Sequence, residues 1–338
     1  MTSRDNDSSP PGWVSDVRDP AVRKLGEAWS ARARRTPNNM ARVSAALPWP
    51  KQAVFHVTYA AMRIIDDFVD DDFLARPVGE RDRTRDMALA RLDRWRRDAT
   101  AAASGIFAAG AGPEATLFQA LSAVCGPRRA VGPEPFRKLA DALEHDIREC
   151  PLERWSDFHT YAEGAAVAPA SIFVTLLASD IDAEFVGRYG LAVSAADHAR
   201  SLALYCYLVH ILRDLAEDAR GNLQLLTIPA EVLVPCGLDR RGLAAAVLAG
   251  DVARVTPVVR AVADEARRWR PRAMADVAAL SRSIGPVERA VIGTLFTLYD
   301  EQFDRAAASA DMVVAGTAGL PTERVRAILA AGLPATPV

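Results

Sequence analysis

Apolar residues recur every three to four positions, almost without interruption, from about residue 21 to about residue 309. A period near 3.6 gathers such residues into one stripe of an α-helix. The breaks are short and carry glycine or proline, as in Ala109-Gly110-Ala111-Gly112-Pro113 and Gly285-Pro286. The spacing predicts helices over 21–35, 51–73, 80–104, 113–126, 133–148, 153–178, 194–219, 240–248, 251–282 and 285–309, with a short one near 322–331. No alternating strand pattern, nucleotide-binding glycine motif or solenoid-length repeat is visible. The expected architecture is therefore all-α. Residues 1–20 are polar and rich in Ser, Asp and Pro, and read as a disordered leader. Residues 21–310 read as one helical domain, and 311–338 as a short helix with a loose tail. A chain of 338 residues could make two domains, but a helical bundle of this size can close around one core.

Charge and cysteine usage exclude several classes. The net charge is -2, and no basic stripe with interleaved aromatics marks a nucleic-acid partner. Cys125, Cys150, Cys206 and Cys236 are scattered and form no CxxC pair, which fits a reducing cytoplasm better than a disulfide or zinc framework. The N-terminus lacks the apolar stretch of a signal peptide. The longest uncharged apolar run, between Glu163 and Asp180, is interrupted by Pro169 and reads as a buried core helix. Peripheral contact with a membrane stays open.

Two acidic clusters carry the chemistry. In Tyr59-Ala-Ala-Met-Arg-Ile-Ile-Asp-Asp-Phe-Val-Asp-Asp-Asp72, helical spacing puts Tyr59, Arg63, Asp66, Asp67 and Asp70 on one face. Met62, Ile65, Phe68 and Val69 are left to pack elsewhere. Asp66 and Asp70 stand one turn apart, where like charges repel and a divalent cation would relieve them. Such a run on its own equally describes a solvated helix end. In the second cluster Tyr207, His210, Asp214 and Asp218 share a face, with Arg213 and Glu217 beside it. Two such helices in one all-α chain, if they face each other, form an oxygen-rich cage of the kind Mg²⁺ prefers when it binds phosphates. A diphosphate becomes a leaving group once cations neutralise it, and the resulting allylic carbocation needs a dry apolar cavity at the bundle centre.

At these residues the sequence resembles the squalene/phytoene synthase family. Tyr59-Ala-Ala-Met-Arg-Ile-Ile-Asp-Asp-Phe-Val-Asp is similar to its YAxxRxxDDxxD motif, and His210-Ile-Leu-Arg-Asp-Leu-Ala-Glu-Asp-Ala-Arg to its NILRDxxEDxR motif. The resemblance spans about 40–305 and includes Tyr299 on the last long helix. It implies an isoprenoid-synthase-type bundle. It also implies that Asp66, Asp67, Asp70, Asp214 and Asp218 bind Mg²⁺, and that Arg63, Arg213 and Lys51 contact diphosphate. Tyr59 would line the reacting centre.

The departures from the family pattern shape the functional expectation. His210 stands where the family has Asn, and Tyr207 where it has Gln. The usual Tyr-Cys…Ala-Gly-x-Val-Gly stretch is replaced by Tyr161-Ala-Glu-Gly-Ala-Ala-Val-Ala-Pro-Ala-Ser171. Some family-like enzymes transfer one prenyl group to an aromatic acceptor. The bulk of His210 and Tyr207 favours that reading, with His210 as a base, Tyr207 in the catalytic group, and Glu163 and Tyr299 as acceptor contacts. The expected substrates are a prenyl diphosphate and a carbazole- or phenol-like acceptor. Head-to-head condensation of two prenyl diphosphates is the main alternative. Cyclisation of one prenyl diphosphate, or non-catalytic cation binding, are further ones.

Overall fold

The computed structural model describes residues 18–25, 39–106, 114–221 and 227–334. Most of the expected disordered leader, the later part of the helix expected over 21–35, and the last four residues of the tail lie outside them. Within the described residues, Asp19 caps a helical stretch over 20–25 by accepting from the amides of Ala21 and Val22 at 2.9 and 3.1 Å.

The chain is all-α, as the periodicity implies. A short α1 (Asn39–Ser44) leads into α2 (Trp49–Asp67), whose first turn holds Pro50 where no amide donor is needed. Then follow α3 (Val78–Ala103), α4 (Ala115–Val124), α5 (Glu134–Ile147), α6 (Trp155–Ala162) and α7 (Ala168–Leu177). The second half holds α8 (Ala195–Gly221), α9 (Ala230–Leu233), α10 (Arg240–Leu248), α11 (Val252–Ser281), α12 (Pro286–Ala308), α13 (Ala310–Ala315) and α14 (Thr322–Gly332). One continuous core runs through all the long helices, including Phe55, Phe73, Trp95, Phe136, Phe158, Phe173, Tyr205 and Phe303. Helix α8 is central: it packs on α7, α11 and α12, while α7 also packs on α2. Both acidic helices thus pack on α7.

Three local features depart from the periodicity. Ser179–Ile181 and Gly187–Tyr189 form a small antiparallel hairpin, with Asp180 opposite Arg188. Strands of three residues are too short to show alternation. The helix expected over 51–73 is α-helical only to Asp67, and Phe68–Leu74 continues as a π-helical segment. The helix expected over 153–178 is likewise split by a π-turn, Glu163–Val167, just before Pro169. Proline cannot donate to the carbonyl four residues back, so the chain widens there. The combined stretch Trp155–Leu177 is long and apolar enough to cross a membrane, but 61% of its apolar window is buried inside the bundle.

The second π-turn packs tightly on α5. A Cβ added at Gly164 would run into the carbonyl oxygen of Lys138 and lie 2.8 Å from the Ala142 Cβ. Neither atom is the free end of a side chain, so the backbones must part. We expect Gly164→Ala to destabilise the protein by about 1–3 kcal/mol, read as a lower midpoint in urea. An unchanged midpoint would show that the turn is not held against α5.

Candidate active site

The first acidic motif lies on the last turns of α2 and the π-segment that follows. Arg63 reaches across one helical turn and ion-pairs with both Asp66 and Asp67. The side chains of Arg63, Asp66 and Asp67 are only 32, 28 and 17% exposed, so this group is half-buried rather than a solvated helix end. Burial pushes the Asp66 carboxyl above its ordinary range, partly offset by Arg63 and reinforced by Asp71. Asp70 is pushed up further, first by loss of solvation and then by Asp66 and Asp146, although its outer side is open to water. Asp72 turns outward to Arg76 at 2.7 Å.

The second motif lies on α8. Arg213 grips its neighbour Asp214 through two parallel bonds, Nε to Oδ1 at 2.6 Å and Nη2 to Oδ2 at 2.5 Å. Asp218, one turn on, is pushed up to about 7 by desolvation, then by Asp214 and Glu217. His210 Nε2 lies 2.6 Å from the Tyr299 hydroxyl of α12. Burial, with Arg213 nearby, lowers His210 to about 3, so the imidazole is neutral at physiological pH. Tyr299 is held protonated by the same burial.

The two motifs come together through the tyrosines between them. The Tyr207 hydroxyl feels Asp70 of the first motif and Asp218 of the second. Tyr299 feels Tyr59 on α2 as well as Asp214 on α8. Tyr207 stacks on Phe158 with ring centres 5.6 Å apart. Along α2 and α8 the residues Tyr59, Ala60, Arg63, Ile64, Cys206, Tyr207, His210 and Arg213 are incompletely buried amid core positions. These half-covered side chains are what the structure offers of the apolar cavity expected at the bundle centre. A groove of about 390 Å³ lies elsewhere, lined by Ala216, Arg220, Leu248 and Val314 among others.

Three residues missed in the sequence complete the group. Asp146 on α5 is 6% exposed and accepts a hydrogen bond from the Tyr161 hydroxyl at 2.9 Å. Burial raises it to about 7, with Asp66 adding to the shift and the Tyr161 bond opposing it. Tyr161 in turn neighbours the Tyr207 hydroxyl. The available signal was position: Asp146 falls three residues after Leu143 and one before Ile147, on the buried stripe of α5. A third is Arg42 of α1, whose pKa is lowered by burial and then by Arg213. Like-charged guanidinium groups held near each other suit a bound anion.

Lys51 and Glu163 are not brought into this group. Lys51 lies about two turns before Tyr59 and pairs with Glu288 of α12 at 2.6 Å, both side chains 11% exposed. Glu163 takes both Arg200 Nε at 2.5 Å and Nη2 at 3.2 Å, with Lys138 4.0 Å away.

Among the described residues, no three His, Cys, Asp or Glu side chains stand close enough to hold a metal ion by themselves. The donors are carboxylate oxygens on two helices, and all-oxygen sets of this kind suit Mg²⁺ that takes its remaining ligands from phosphate and water. The residues present therefore fit such an ion when a phosphate accompanies it.

Comparison with known proteins agrees with this geometry. The squalene/phytoene synthase family model matches residues 33–318. A presqualene diphosphate synthase from Rhodopseudomonas palustris is 26% identical over 195 residues, which covers 57% of this chain and 58% of that protein. The match thus spans little more than half of the relative's length. Among solved structures, a dehydrosqualene synthase superposes with a TM-score of 0.67 at 16% identity, covering 92% of this chain and 95% of that one. Squalene synthase HpnC from Alicyclobacillus acidocaldarius gives 0.58 at 20% identity, covering 94 and 96%. These structures share the fold. None of these relatives points to an aromatic acceptor, the reading favoured by the altered second motif. With two acidic motifs converging on one tyrosine-lined site and a family model covering most of its length, the chain belongs to the squalene/phytoene synthase family.

Proposed function

We propose that this protein joins two prenyl diphosphates head to head. The observation that carries this reading is that Tyr207 lies within electrostatic reach of Asp70 of the first motif and Asp218 of the second. The similarity to a presqualene diphosphate synthase supports the same class of reaction.

The roles follow from the geometry. Arg63, Arg213 and Arg42 supply positive charge for the diphosphate groups. Asp66, Asp67, Asp70, Asp214 and Asp218 would hold Mg²⁺, with Asp146 close behind them. When bound, Mg²⁺ neutralises the departing pyrophosphate. As the allylic C–O bond of one substrate breaks, the double bond of the other supplies the electron pair for the new C–C bond. One pyrophosphate and one proton leave. Neutral His210, hydrogen-bonded to Tyr299, can accept that proton. Tyr59, stacked on Phe55 with centres 5.4 Å apart, lines the apolar side of the site.

A second reading, alkylation of a non-isoprenoid acceptor, is favoured by one observation. The neutral His210–Tyr299 pair and the stacked Tyr207–Phe158 pair present a base and flat apolar surfaces side by side on α8. Incubation with farnesyl or geranylgeranyl diphosphate and Mg²⁺ separates the two. We expect a coupled C30 or C40 product by mass spectrometry. Pyrophosphate release that depends on an added aromatic, with no coupled product, would replace the first reading by the second.

Two variants test the site itself. The surroundings of Asp70 disfavour its charged form, so Asp70→Asn should raise the melting temperature of the free protein by roughly 2 °C or more. The same variant should lower pyrophosphate release about a hundredfold. A solvated helix end would show neither change. Lys51→Met leaves Glu288 buried without its partner and should cost roughly 3–5 kcal/mol, whereas Lys51→Met/Glu288→Met should restore most of that stability. If the double variant is stable and turns over normally, Lys51 is a tie between α2 and α12. If it is stable and inactive, Lys51 reaches substrate.

A further inference from the structure

A buried ionic cluster sits directly behind the first acidic motif. Arg81 on α3 is 2% exposed. Its Nη1 donates to the carbonyls of Leu74 at 3.0 Å and Arg76 at 2.8 Å, where the π-segment Phe68–Leu74 ends. Its Nη2 lies 2.9 Å from Glu149 Oε1. Arg85, one turn on, takes the other oxygen of the same carboxylate at 2.6 Å and donates to the Ile147 carbonyl. Glu149 follows α5, and its amide donates to the Asp146 carbonyl at 2.9 Å.

The cluster therefore links two backbones. One is the end of the segment that carries Asp70 and Asp71. The other is the end of the helix that carries Asp146. Both must stay close while their carboxylates repel. The chain accepts two unfavourable features to build the link. The Arg81 guanidinium and the Glu149 carboxylate are taken out of water, and the Arg85 guanidinium partly so, which is costly unless they are well paired. Glu149 is also one of only two non-glycine residues in the described chain with a positive φ, at 52°. That backbone turn delivers its carboxylate to both arginines. Strain held by surrounding contacts is commonly found where a precise arrangement is needed. Arg81 and Arg85 touch no group assigned to substrate, so their action runs through the backbone.

We propose that Arg81, Glu149 and Arg85 are positioning residues that fix the spacing between the Asp70 segment and Asp146, and so set the affinity of the site for the cation–diphosphate pair. This rests on the cation-binding reading of the acidic motifs given above. Groups that orient a metal's ligands from behind typically change affinity 10–100-fold when removed.

The test uses the full chain and Mn²⁺ as the probe, with inorganic pyrophosphate present. Mn²⁺ binding is followed by electron paramagnetic resonance and calorimetry, and folding by thermal melting. Glu149→Gln keeps shape and hydrogen bonding but removes the central charge. Arg81→Met/Glu149→Gln removes the buried charges as a unit, which protects against simple misfolding. Both should bind Mn²⁺ with pyrophosphate at least tenfold more weakly than the parent protein. Arg85→Gln, nearer the surface, should give a smaller loss in the same direction. A folded double variant with unchanged Mn²⁺ affinity would overturn the positioning role while leaving the site intact. Failure of the parent protein to bind Mn²⁺ with pyrophosphate would overturn both the site and the role built on it.

Discussion

Repulsion among carboxylates is the constraint around which this molecule is arranged. Asp66, Asp70 and Asp146 crowd one another from two helices, and Asp214 and Asp218 do so on a third. A cluster like this lowers stability, so it persists only where the surrounding framework outweighs it. Helix α3 is that framework on one side. Its Trp95 donates to the Ala61 carbonyl at 2.9 Å, its Arg91 lies 4.0 Å over the Phe68 ring, and its Arg81 holds the carbonyls of Leu74 and Arg76. These contacts follow the acidic segment along its length and grip it from the outer side. Helix α8 has a comparable brace on the other side of the bundle. There Tyr205 donates to Asp300 at 3.0 Å, and Asp300 is held by Arg270 through two bonds of 2.7 Å.

Much of this was legible in the sequence, for a definite reason. The period of apolar residues and the position of proline and glycine fix where helices begin and end, so α8, α10, α11 and α12 fall within a residue or two of expectation. The aspartates and arginines of both motifs were legible because helical spacing aligns them on a face. The two π-helical stretches were not. A shift from i→i+4 to i→i+5 bonding leaves no mark in composition, and it emerges only when a helix packs against particular neighbours.

The parts of the site that were missed share a different cause. Asp146 is a single acid on the apolar stripe of α5, and Tyr161 lies in the stretch that departs most from the family pattern. Neither forms a motif with its sequence neighbours. Lys51 and Glu163 looked available because their partners are remote: Glu288 stands 237 positions from Lys51, and Arg200 stands 37 from Glu163. Ion pairs that close only in the folded chain cannot be read from local spacing.

At rest, two of the site's arginines are paired with carboxylates. Arg63 is held by Asp66 and Asp67, and Arg213 is clasped by Asp214. An anion meeting Arg63 or Arg213 must displace a carboxylate, and a cation meeting Asp66, Asp67 or Asp214 must displace a guanidinium. A ligand of both signs, arriving as a neutral couple, can exchange partners with both sides of these pairs at once. Self-pairing of this kind favours the entry of charge and countercharge together over the entry of either alone.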